Sequence, residues 1–205
     1  MKKLGIIFLI LSMVLVSCSK SNEEKAQSLA DEAIKKTLYI PDSYEAVSLE
    51  LDSAFAPFDS NEFVQLVLQM CQTGKNMQEA KEELEDAESD MAMWGGDYMT
   101  EFSKIEYKRA KAKYDKAQET IQKETEKGLQ QREEFLKLKS QKPEFLGFKA
   151  LVTYRAKNNA GNVLMGQDFV TFNKELTEVK SVTNTEDESY QMFKECSKMF
   201  LEQIQ

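Results

Sequence analysis

Phe63 to Trp94, FVQLVLQMCQTGKNMQEAKEELEDAESDMAMW, repeats its apolar and small residues every seven positions. Phe63, Met70, Met77, Leu84 and Met91 form one register. Leu66, Thr73, Ala80, Ala87 and Trp94 form the companion register three residues on. On a helix this spacing lays two rows along one face, the a/d seam of a coiled coil, with Thr73 its one polar member. Trp94-Gly95-Gly96-Asp97 then breaks the pattern with a turn. A second, densely charged helix is expected from about Thr100 to Gln141. Its apolar side carries Ala110, Tyr114, Ala117, Ile121, Gly128, Phe135 and Leu138, with polar gaps at Glu124 and Gln131. Two seams joined by a short loop predict an antiparallel helical hairpin over residues 60–141. At 1.5 Å per residue its arms reach about 45 Å and about 60 Å.

Outside the hairpin the periods are shorter. Ala26, Leu29, Ala30, Ala33, Ile34 and Leu38 give Glu23–Leu38 one apolar stripe, and Pro41 ends that helix. Val47, Leu49 and Leu51 then alternate with polar residues, as a half-buried strand requires. Residues 56–60 connect to the hairpin, and Asp59 or Ser60 is placed to cap it. After Lys142-Pro143 the period of two returns: Phe148, Ala150, Val152, Tyr154 and Ala156 alternate with polar neighbours. Asn158 to Asn162 makes a turn, Val163–Phe172 a return strand with bulky Leu164 and Met165, and Leu176–Val182 a shorter strand. Tyr190, Phe193, Cys196, Phe200, Leu201 and Ile204 mark a closing amphipathic helix. The expectation is an α+β domain, residues 23–58 and 143–205, split by the hairpin. Its small antiparallel sheet has about four strands, with both terminal helices on one face.

Composition narrows the chemistry. The chain has 205 residues, a formal charge of −8 and no histidine. Neither a Ser-His-Asp or Cys-His nucleophile system nor an imidazole zinc site can be built. No phosphate-cradling glycine loop is present. An acidic chain without a basic block does not fit nucleic acid, whose phosphates need a positive footprint. No cofactor, metal site or enzymatic activity is therefore expected. A hydrolase built from carboxylates alone is the one catalytic reading left. Cys71 and Cys196 each lie beside apolar neighbours; they read either as buried free thiols or as a disulfide, and sequence alone does not set their separation.

The first eighteen residues carry their own pattern. Lys2 and Lys3 precede an apolar run, Leu4 to Val16, too short to span a bilayer, and Leu15-Val16-Ser17-Cys18 follows. This resembles the lipobox of bacterial lipoprotein precursors. The resemblance implies a signal peptide over residues 1–17, cleavage before Cys18, lipidation of that thiol and a short tether over 18–22. Ser19 in place of aspartate implies sorting to the outer membrane of a Gram-negative cell, on its periplasmic or outer face. Loss of residues 1–17, which hold two lysines and no acid, would move the formal charge from −8 to −10. Pro41-Asp42-Ser43-Tyr44 and Ala156-Lys157-Asn158-Asn159-Ala160-Gly161 further resemble "PDSY" and "AKNxxG" elements of small bacterial envelope lipoproteins. No activity comes with that likeness.

Two functional classes follow. The first is a non-catalytic lipoprotein held to the membrane through Cys18, whose hairpin docks another envelope protein or a second copy of itself. Met91, Met93, Trp94 and Tyr98 at the hairpin turn are the expected contact residues, since aromatic and methionine side chains favour interface centres. The second is a ligand- or peptide-binding module using the sheet face or a polar edge formed by Arg155, Asn158, Asn159 and Gly161.

Overall fold

The computed structural model describes residues 20–97 and 99–202. Its elements are α1 (Asn22–Lys35), β1 (Glu45–Ala56), α2 (Asn61–Trp94), α3 (Glu101–Lys139), β2 (Glu144–Lys157), β3 (Val163–Phe172), β4 (Val179–Asn184) and α4 (Glu188–Glu202). The class is α+β, with one antiparallel sheet in the order β1-β2-β3-β4. Two compact units share the chain, and both are discontinuous. One holds residues up to Ser53 together with Gly147–Asn184; the other holds Ala54–Leu146 and everything from Thr185 on.

In the first unit, Ser21 opens α1 with a reciprocal cap. Its hydroxyl accepts from the Glu24 N–H at 3.1 Å, and the Glu24 carboxylate accepts from the Ser21 N–H at 3.0 Å. The helix ends at Lys35, short of the expected Leu38, which still packs beside the core. The core joins Ala26, Ala30 and Ile34 of α1 to one face of the sheet: Ala150, Val152, Tyr154 and Ala156 of β2, then Val170 and Phe172 of β3. Register explains the shared face. Ala150 stands opposite Val170 and Phe148 opposite Phe172, so residues of equal parity on the two strands point the same way. β4 starts at Val179, later than the Leu176 that the sequence pattern implies. The Asn173 side chain accepts from the N–H groups of Thr177 and Glu178, extending the turn. Leu176 falls inside that turn with φ +51° and is buried in the core.

The second unit is the helical hairpin with α4 added. Ser60 caps α2, its hydroxyl accepting from the Phe63 N–H at 3.1 Å. Asp59 instead accepts from the Phe55 N–H at 2.8 Å. Thr100 caps α3 in the same manner, accepting from Ser103. Phe63, Leu66 and Val67 of α2 meet Phe135 and Leu138 of α3 at the hairpin base, and Cys196 of α4 joins them. Met192, Phe193 and Phe200 of α4 pack on the same cluster. This corrects the expected division into residues 23–58 with 143–205 and 60–141. The closing helix packs with the long helices in the second unit. Its amphipathic stripe needed an apolar surface, and the hairpin base supplies one.

Candidate functional site

Toward the tip of the hairpin the innermost positions are small, and toward the base they are larger. Thr73, Ala80 and Ala87 of α2 and Ala110, Ala117, Glu124, Gln131 and Leu138 of α3 are buried, each series spaced by seven. The larger residues of the second register lie less deep than these small ones. Met70, Met77, Leu84 and Met91 on α2, and Tyr107, Tyr114 and Ile121 on α3, are only half-buried. Each lies three residues before a seam position, buried except at Trp94, and so about 50° round the helix at 3.5 residues per turn. In an antiparallel pair the same rotation carries both rows to one side. The hairpin thus has an apolar face, which α4 covers at the base around Met70 and leaves open from Met77 to Met91.

Cys71 and Cys196 are joined in a disulfide, with Cα atoms 6.3 Å apart across a sequence separation of 125. The bond ties α4 to α2 where the base cluster closes.

Polar atoms interrupt the seam. Thr73 Oγ1, Glu124 Oε2 and both amide atoms of Gln131 are buried without a hydrogen-bond partner, and Lys127 Nζ lies 3.9 Å from Glu124 Oε2. These are the residues that the heptad pattern marks as its exceptions.

At the turn between the arms, Trp94 is half-buried and meets Phe102 edge-on, ring centroids 5.7 Å apart. Met91 is half-buried as part of the apolar face, while Met93 is 67% exposed. Tyr98 lies outside the described residues, as does Cys18. Phe102 and Ile105, not singled out by the sequence reading, are 60% and 51% exposed and widen the apolar tip. A spacing of three from Phe102 to Ile105 just past the turn was their only signal. An open groove beside Gly95, Gly96, Met99, Lys104, Tyr107 and Lys108 runs along the tip.

The β2–β3 turn is self-satisfied. Asn158 Oδ1 accepts from the N–H groups of Ala160 and Asn162, each at 3.0 Å, and Gly161 takes φ +83°. Asn158 and Gly161 thus build the turn, with Arg155 and Asn159 exposed beside it. Next to the turn, Val163, Leu164 and Met165 are all more than half exposed.

One polar group is buried in the sheet unit that sequence reading passed over. Asp168 is 2% exposed, on the same face as Val170 and Phe172, and the Tyr154 hydroxyl lies 3.3 Å from its Oδ2. Strand parity from Phe172 back to Asp168 would have placed it there. The Tyr154 ring lies 5.4 Å from that of Tyr44, whose hydroxyl donates to Asp31 Oδ1 at 2.6 Å. A Cβ at Gly166 would stand 2.5 Å from Tyr154 Cζ, so only glycine leaves the ring its place. Burial, then the Asp31 hydrogen bond and charge, push the Tyr44 hydroxyl well above the ordinary phenol value. It is a donor that keeps its proton rather than a general base.

Among the described residues, no three Cys, Asp or Glu side chains are grouped to hold a metal ion. Among the same residues no helix is long and apolar enough to cross a membrane. No family model, curated protein or solved structure matches the chain.

Proposed function

We propose that the chain is a non-catalytic, lipid-anchored lipoprotein of the outer membrane whose helical hairpin is a docking module for proteins of the cell envelope. The observation that carries this reading is the apolar face of the hairpin, covered at the base and open from Met77 to the tip. A two-helix pair buries little of its own surface, and an uncovered face of this length is favourable only if something lies against it. Leu15-Val16-Ser17-Cys18 supports the anchor: two or more acyl chains on Cys18 would hold the protein stably, at about 0.8 kcal/mol per buried CH₂. The anchor is tested by Cys18→Ala, which is expected to stop incorporation of labelled fatty acid and to accumulate uncut precursor. Docking is tested by a photo-crosslinking residue at Met93 in the membrane-bound chain. A crosslinked product that disappears with Trp94→Ala, while the variant stays folded, is expected; an unchanged product contradicts docking at the tip.

Ligand binding at the sheet unit is the second reading, favoured by the exposed run Val163-Leu164-Met165 beside Arg155 and Lys157. A peptide held there would protect these amides from hydrogen exchange.

A further inference from the structure

We propose that the open part of the hairpin's apolar face is covered by the same face of a second copy of this chain, two hairpins forming a parallel four-helix bundle. The inference rests on the docking-module reading and names its partner.

The fold shows what this face accepts. At the base it takes an amphipathic helix, α4, with Met192, Phe193 and Phe200 against Phe63, Val67 and Met70. Toward the tip the same rows continue as Met77, Leu84 and Met91 beside Tyr107, Tyr114 and Ile121, without a covering helix. The natural occupant is another pair of apolar helical rows.

Charge says which pair. Between Glu79 and Asp90, α2 carries seven acids and one lysine; between Lys104 and Lys116, α3 carries six basic residues and two acids. Both stretches lie in the tip half of the hairpin. A two-fold axis along the hairpin sets each α2 over the partner's α3 at equal height, and the face is then self-complementary, as an isologous contact requires. Antiparallel pairing of the arms places Ala87 level with Ala110 and Ala80 level with Ala117. Within one residue of that count, Glu88 on one copy comes level with Lys108 on the other, and Lys81 with Asp115. Glu88 and Lys108 are exposed at the rim of the apolar face. The ion pairs of the tip half run along a single helix, as in Lys104–Glu101, Arg109–Glu106 and Lys111–Asp115. The reversed arrangement, tip over base, fails on two counts. It sets α2 over α2, and α4 already occupies the base.

Size sets the strength. The open face is roughly 25 Å long and two helices, about 20 Å, wide. Burial is then about 500 Å² on each copy, about 1,000 Å² in total, the low end for a specific interface. Such a dimer is weak in free solution. Confinement of both copies to one membrane raises the effective concentration, and a two-fold along the hairpin keeps both Cys18 anchors at the same height.

The test uses full-length chain in membranes. Glu88→Cys and Lys108→Cys copies carrying different tags are co-expressed and oxidised. A mixed disulfide dimer is expected, at least fivefold more abundant than either same-site dimer, because the two copies of each site lie on opposite corners. Equal yields of mixed and same-site products, or no chain-to-chain product, overturn the proposal. Thiol exchange with Cys71 or Cys196 is controlled by charge reversal without added cysteine. Glu88→Lys and Lys108→Glu are each expected to weaken chemically crosslinked dimer about fivefold, and mixing the two variants restores it. Variants without effect overturn the proposal by this route as well. A product with a different membrane protein and none between copies overturns the second-copy inference while the docking module stands. No product of either kind removes both.

Discussion

Gln131 occupies a seam position where an apolar residue would ordinarily sit, and neither its amide oxygen nor its nitrogen has a hydrogen-bond partner. Leaving such a group desolvated costs about 1–3 kcal/mol. Gln131→Leu is therefore expected to stabilise the chain by about 1 kcal/mol, read as a higher urea midpoint with unchanged slope. What the polar residues supply instead is register, since a polar seam residue disfavours slipped pairings at a cost in stability. The same scale holds a pH effect. The Tyr44 hydroxyl binds its proton more tightly in the folded chain than in the unfolded one. The stability this lends is full below pH 10, the ordinary phenol value, and drains as pH rises above it. Tyr44→Phe should flatten the alkaline limb of a stability-against-pH curve. Glu124 and Gln131 were legible as breaks in the heptad count. Asp168 was not, because a lone aspartate in a strand reads as a solvent-facing residue until its parity is checked against Phe172.

At the scale of elements, the disulfide between α2 and α4 decides how firmly the hairpin base is closed. Cross-linking residues 125 apart removes much of the unfolded chain's freedom, worth about 3–5 kcal/mol in the loop-entropy account. Cys71→Ser with Cys196→Ser is expected to lower stability by an amount of that order. Amide exchange in α4 and in the first turns of α2 should quicken most, since these are the segments the bond joins. Protection at Val152 and Val170, in the sheet unit, should change least. Periodicity disclosed every long element here, including the alternation of β2 and the amphipathic α4. It could not disclose the partner of α4, because a stripe records how much apolar surface a helix must hide and not where. Nor does the alternation of β3 disclose that Leu164 and Met165, beside the β2–β3 turn, stay exposed.

At the scale of the whole molecule, each unit is assembled from two stretches of chain far apart in sequence. Ala30 and Ile34 pack on Val152 and Val170, and Phe63 and Val67 wait for Phe135 and Cys196. Any ribosome makes the early partner first. At about 5–20 residues per second, Cys71 precedes Cys196 by on the order of ten seconds. Throughout that interval Cys71 is a thiol without its mate, and the cluster around Phe63 and Val67 lacks α4. A chain cut short before Glu188 would keep both conditions permanently. An alkylating reagent would label Cys71 in such a fragment and pass over it in the oxidised chain, so the state of that one thiol would record whether α4 had been made.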